Sequence, residues 1–199
     1  KRCLQMPHRV FRPHDVDKIE PVISQGLVSP LNASTEQRLV HEYADALKHW
    51  RSPVDIVKWA GQHYAYDFDR GALMSASYEP RINPPEIFFD RKSGVCIDFS
   101  NFIVSTLRKI APQITPYYFR MEYRIPNLFR GAPFRSHWSA AYQAGDEWYV
   151  LGDSKLGGTI CGPYQQLDDY REDYSRFRGL YYYKCDLYEQ PEVFYTLVR

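Results

Sequence analysis

Ser93-Gly94-Val95-Cys96-Ile97-Asp98-Phe99-Ser100-Asn101-Phe102-Ile103-Val104-Ser105-Thr106-Leu107-Arg108-Lys109-Ile110 is the stretch on which the reading of this chain turns. Phe99, Phe102, Ile103, Leu107 and Ile110 recur at helical spacing and predict a helix with one apolar face. Gly94 permits a tight turn ahead of it, and Cys96 falls within the first helical turn or just before it. At that position unpaired backbone N–H groups and the positive end of the macrodipole stabilise a thiolate and depress the thiol pKa. A cysteine at the start of a buried helix is a common way to build a nucleophile. It is equally a place for a small core hydrophobe, since free cysteine is among the most buried residue types.

The surroundings bound what such a helix serves. At 199 residues the chain suits one domain with a sizeable core. Its 25 basic and 24 acidic residues nearly cancel, so there is no electrostatic footprint for nucleic acid or an anionic membrane. No apolar run approaches the ~20 residues a membrane span requires, and a soluble protein is expected. Seventeen tyrosines in strand-like runs point to a sheet packed on one side and wet on the other. Cys3, Cys96, Cys161 and Cys185 show no C-x-x-C spacing, and the six histidines form no H-E-x-x-H. Neither a metal nor a cofactor is therefore expected. With Cys96 set aside as a free thiol, Cys161 and Cys185 are the leading candidates for a disulfide. The chain opens Lys1-Arg2-Cys3 without an initiating Met, as a processed or trimmed chain would; that slightly favours export to the periplasm, cell envelope or extracellular space and leaves the redox compartment open.

Residues 1–33 are rich in proline and polar side chains and read as an N-terminal arm; 34–199 reads as a single domain. Asn32-Ala33-Ser34 matches a glycosylation sequon. Ser34 with Gln37 forms a capping-box pattern before an amphipathic helix over about 35–50, carrying Leu39, Val40, Tyr43, Ala44, Leu47 and Trp50. His41 and His49 on it read as surface residues. Ser52-Pro53-Val54-Asp55 repeats the start signal for a second helix to about His63. Residues 70–83 read as a long loop, and Glu86–Asp90 as a short helical turn leading into the Cys96 helix. Beyond Pro116 the period becomes two: Tyr117, Phe119, Met121, Tyr123 and Ile125 alternate with Tyr118, Arg120, Glu122 and Arg124, as in a half-buried strand. A loop spans Pro126 to Arg135. The loops 70–83 and 126–135 are expected to flank the Cys96 cleft. A short helix near Tyr164–Tyr170 and strands at Leu180–Cys185 and Phe194–Val198 complete the reading.

Ser136–Tyr142 and Glu147–Leu151 bracket a Gly-containing turn at Gln143–Asp146 and predict an antiparallel hairpin. Pairing across the turn puts His137 opposite, or one step from, Gly152-Asp153. Opposed Cβ atoms lie ~5 Å apart and diagonal ones ~7–8 Å. An imidazole held by a carboxylate, beside a thiol at a helix start, is a nucleophile–base–orienter arrangement.

Taken together, Gly94-Val95-Cys96-Ile97-Asp98-Phe99-Ser100-Asn101-Phe102, then His137-Trp138, then Trp148-Tyr149-Val150-Leu151-Gly152-Asp153-Ser154 resemble the transglutaminase-like superfamily of cysteine enzymes, within the papain-like architecture. Tyr64-Ala65-Tyr66-Asp67 looks like that family's lead-in element, and the resemblance covers roughly 50–155. It implies an α+β fold with helices packed on one side of an antiparallel sheet and the nucleophile at the N-terminus of a buried helix. It also implies Cys96 as nucleophile, His137 as general base and acid, and Asp153 as the residue orienting the imidazole. Papain carries a glutamine shortly before its cysteine as an oxyanion donor, whereas this chain reads Phe89-Asp90-Arg91-Lys92 there. Gln62, Tyr64 and Tyr66 are the candidates for the side-chain donor, with the Cys96 N–H as the second.

The implied function is a cysteine-dependent amide hydrolase, a peptidase or deamidase working through a thioester on a protein or peptide substrate. A transglutaminase-type acyltransferase would use the same triad, with an amine in place of water. No D-x-D-x-D-G calcium loop is present, which favours hydrolysis. The competing class is a non-catalytic peptide- or protein-binding module on the same fold.

Overall fold

Local signals account for the helices that carry the site. The computed structural model describes residues 33–76, 82–123, 135–152 and 159–190. In order these form α1 (Ala33–Leu47), α2 (Pro53–His63), β1 (Ala65–Tyr66), α3 (Phe68–Ala76), α4 (Pro85–Arg91), β2 (Ser93–Gly94), α5 (Cys96–Ile110), β3 (Pro116–Tyr123), β4 (Arg135–Ala144), β5 (Glu147–Leu151), β6 (Ile160–Tyr164), α6 (Leu167–Arg178) and β7 (Tyr182–Tyr188). The start of α2 is held by Asp55, whose Oδ2 accepts the Ser52 N–H at 3.0 Å and the Ser52 hydroxyl at 2.9 Å. α1 begins at Ala33, so Ser34 lies inside its first turn rather than at its cap.

The expected loop at 70–83 is in part a helix. Asp67 supplies the reason: its Oδ1 accepts the Arg70 N–H at 2.9 Å, a side-chain cap that starts α3 at Phe68 despite Gly71 in its interior. Residues 77–81 of that loop, most of the loop 126–135 and the strand expected at Phe194–Val198 lie outside the described residues.

The sheet runs in the order β6-β5-β4-β3-β7, antiparallel throughout. The β4–β5 hairpin pairs Ala144 with Glu147 and Ala140 with Leu151, leaving Gly145-Asp146 as a two-residue turn. Adjacent residues feed different cores, as a two-residue period requires. Tyr118, Ala140, Tyr142 and Leu151 pack on one face against Phe99, Phe102, Ile103 and Leu107 of α5. Phe119, Met121, Ala141 and Val150 pack on the other against Leu167, Tyr170 and Tyr174 of α6. The architecture is α+β. α5, with α1, α2 and α4 behind it, covers one face, while α6 covers the opposite one. The first face is knit by aromatic rings around Phe102, whose centroid lies 4.9 Å from Phe88, 5.0 Å from Trp59, 6.0 Å from Tyr43 and 6.1 Å from Trp50.

Two further elements depart from the sequence reading. β6 was not expected; it contains Gly162-Pro163, tolerated because β6 is an edge strand that need not donate on both sides. α6 is twelve residues long and runs past Tyr170 to Arg178. Its apolar stripe is Leu167, Tyr170 and Tyr174, and tyrosine hides a helical period among the charges of Asp168, Asp169, Arg171, Glu172 and Asp173. β3 is accordingly buried on both faces rather than one. The expected Cys161–Cys185 disulfide is not formed. The two residues occupy β6 and β7, the opposite edges of the sheet, separated by four strand spacings of ~4.8 Å each.

Candidate active site

Cys96 is the first residue of α5, and the structure delivers it there through a small parallel pairing. β1 and β2 pair Ala65 with Ser93 and Tyr66 with Gly94. The Asp67 N–H donates to the Gly94 carbonyl at 3.0 Å, and the Tyr64 hydroxyl donates to the same oxygen at 2.9 Å. Val95 is extended (φ −97°, ψ 177°), and the Phe99 N–H closes the first turn on its carbonyl at 3.0 Å. Cys96 is half-buried, at the end of α5 where the positive end of the helix dipole lies. The expected placement of the cysteine at the start of a buried helix packed on the sheet is what the structure has.

His137 sits in β4 opposite Met121 of β3. Its alternation class is that of Ser139 and Ala141, the residues of the α6 face, while Trp138, Ala140 and Tyr142 take the α5 face. The imidazole is 9% exposed and lies parallel to the ring of Tyr174 in α6, centroids 5.1 Å apart and planes 8° apart. Its Nε2 is 3.4 Å from the Ser139 hydroxyl. The register and the stacking together put the imidazole on the α6 face of the sheet. Asp153 lies outside the described residues. The neighbouring Gly152 donates its N–H to the Thr159 carbonyl at 2.8 Å and lies against the ring of Phe99, one turn into α5.

The three oxyanion candidates separate. Gln62 is exposed on α2. Tyr64 stacks its ring on Phe99 at 4.6 Å and 8°, with its hydroxyl on the Gly94 carbonyl. Tyr66 packs edge-on against Phe68 at 4.9 Å, and its hydroxyl lies beside Gly71, on the side where Val95 also approaches. Of the three, Tyr64 and Tyr66 are the ones packed around the strand that leads to Cys96.

A family model for a transglutaminase-like domain matches residues 39–188. The chain belongs to the transglutaminase-like domain family. A solved structure described as "Crystal structure of a TGase" is similar, at 13% identity and a TM-score of 0.34, over 65% of this chain and 34% of that one. This chain thus spans about a third of that protein's length. No curated protein matches it.

In this transglutaminase-like domain sequence reasoning missed a cluster around Asp98. Its carboxylate, the third residue of α5, is fully buried and bonded to Arg70 of α3 through Nε at 2.6 Å and Nη2 at 2.8 Å. An acid three residues past the helix-preceding Val95 is a legible sign of an N-terminal turn. Its partner 28 residues upstream has no local signature. No helix among the described residues is long and apolar enough to cross a membrane.

Proposed function

We propose that this transglutaminase-like domain is a cysteine-dependent amide hydrolase. The Cys96 thiolate attacks an amide carbonyl carbon of a protein or peptide, the amine leaves with a proton, and water cleaves the resulting thioester to a carboxylate. The observation that carries the reading is Cys96 at the first position of α5 in a chain of this family. The motif order assigns His137 as the base that takes the thiol proton and returns it to the leaving amine, and Asp153 as the group that orients the imidazole. Tyr64 or Tyr66 with the Cys96 N–H would receive the oxyanion. Acceptance of the acyl group by an amine instead of water would make the same site a transglutaminase-type acyltransferase. Ammonia or new amino termini without incorporation of a primary amine probe favours hydrolysis over that variant.

A second reading, a non-catalytic peptide- or protein-binding module, draws on one observation: the stacking of His137 on Tyr174, on the face away from α5. One measurement separates the two. Iodoacetamide alkylation of Cys96, followed by peptide mass spectrometry between pH 5 and 9, is compared in wild type and His137→Ala. Alkylation well below the ordinary thiol range near 8.5, slowed sharply at neutral pH by His137→Ala, supports the enzyme. Superimposable profiles refute the imidazole partnership and leave the binding module.

A further inference from the structure

Two residues past Cys96, the Asp98 carboxylate collects four donors from three separate segments. Its Oδ2 accepts the Val95 N–H at 3.0 Å and Arg70 Nε at 2.6 Å; its Oδ1 accepts Arg70 Nη2 at 2.8 Å and the Asn83 N–H at 2.8 Å. The Asn83 carbonyl in turn accepts Asn101 Nδ2 at 2.9 Å, so that residue is fastened to α5 on both sides. Gly94 leaves room for this closure: a Cβ there would stand 2.9 Å from Asp98 Cβ and 3.1 Å from Oδ2.

A carboxylate that only capped the helix would need neither Arg70 nor complete burial. Nor does stability explain the pair well, because desolvating two charges offsets most of their attraction, and apolar replacements of such pairs are often as stable. What the cluster supplies is geometry. Val95 has no side-chain acceptor with which to cap α5, so the four-donor clamp on Asp98 fixes the direction in which the chain leaves β2 and enters the helix.

We infer that Asp98 and Arg70 are positioning residues for Cys96, their bidentate pair holding the first turn of α5 against α3 and Asn83 so that the thiol keeps one orientation at the helix N-terminus. The inference rests on the reading of Cys96 as the nucleophile. Its test uses the full chain and the Cys96 alkylation profile from pH 5 to 9, in wild type, Asp98→Asn, Arg70→Met, Arg70→Lys and the double variant Arg70→Met/Asp98→Leu. The double variant removes both charges together and so leaves no unpaired buried charge; it is expected to stay folded, with a melting temperature lowered by the lost acceptor for the Val95 and Asn83 N–H groups. Both single removals and the double variant should slow Cys96 alkylation at pH 7 by on the order of tenfold or more and shift its pH profile. Arg70→Lys should recover part of the rate, since it keeps the charge but loses the fork. Adducts at Cys161 and Cys185 serve as internal controls that should not change. A folded double variant with the wild-type rate and profile overturns the inference. The comparison with His137→Ala tests the enzyme reading, whereas the ratio of these variants to wild type tests the clamp, so the two failures are told apart.

Discussion

Gly152 and Gly145 share a backbone conformation but not an environment, and that makes them a controlled pair. Both have positive φ, +61° and +62°. A Cβ at Gly145 would meet nothing within 4 Å, whereas one at Gly152 would stand 2.6 Å from Phe99 Cε1 and 3.1 Å from its Cζ. The Phe99 ring has nowhere to go: it is 1% exposed, stacked 4.6 Å from Tyr64 and 5.7 Å from Phe88. Holding an L-residue in the left-handed region costs roughly 1–2 kcal/mol at either position. Forcing an extra carbon into a packed site adds about 1–3 kcal/mol. Gly145→Ala is therefore expected to lose about 1–2 kcal/mol and Gly152→Ala about 2–5 kcal/mol. At roughly 2–4 °C per kcal/mol for a chain of this size, the clash alone corresponds to a gap of about 2–12 °C between their melting temperatures. Urea unfolding followed by tryptophan fluorescence, with thermal melts alongside, measures both variants under one set of conditions. Equal midpoints would mean that the end of β5 does not rest on the first turns of α5, and the placement of everything built on that contact would be wrong.

Phe102→Ala should destabilise by about 3–5 kcal/mol, because it empties the centre of a ring cluster linking α1, α2 and α4 to α5; a loss under about 1 kcal/mol in the same urea assay would contradict that packing. Burial, with the Asp168 carboxylate beside it, pushes the Cys185 thiol up to about 11. Below that pH the thiol stays protonated, so at pH 8 its alkylation should lag an ordinary thiol by roughly two orders of magnitude and climb steadily toward pH 11. Asp168→Asn should speed it, and an ordinary rate at pH 8 in the parent chain would show the sulfur to be less enclosed than it is drawn.

Much of the fold was legible residue by residue. The helices α2, α4 and α5 and the β4–β5 hairpin follow from caps, the 3.6 and 2.0 periods and a Gly-containing turn, all of which act within a few residues of one another. The placement of Cys96 at a helix start belongs to the same class: Gly94, Val95 and the apolar run after them determine it locally. The signals that were overlooked, the Asp67 cap of α3 and the tyrosine stripe of α6, were local too, but they were written in residues more often read as loop or surface.

Three things were decided only by the tertiary structure. Whether β3 is half-buried or buried on both sides depends on α6, which follows it by more than forty residues and closes over Phe119 and Met121. Whether Cys161 and Cys185 meet depends on the strand order, and antiparallel pairing carries them to opposite edges of the sheet. The face of His137 is the sharpest case. A hairpin specifies which residues are opposite, but one step along a strand changes the face, and local pairing does not say which face receives which helix. Arg70 and Asp98 make the same point from the other direction: the acid at the third helical position could be read from the sequence, while the cation that completes it arrives from a helix 28 residues away, brought there by packing alone.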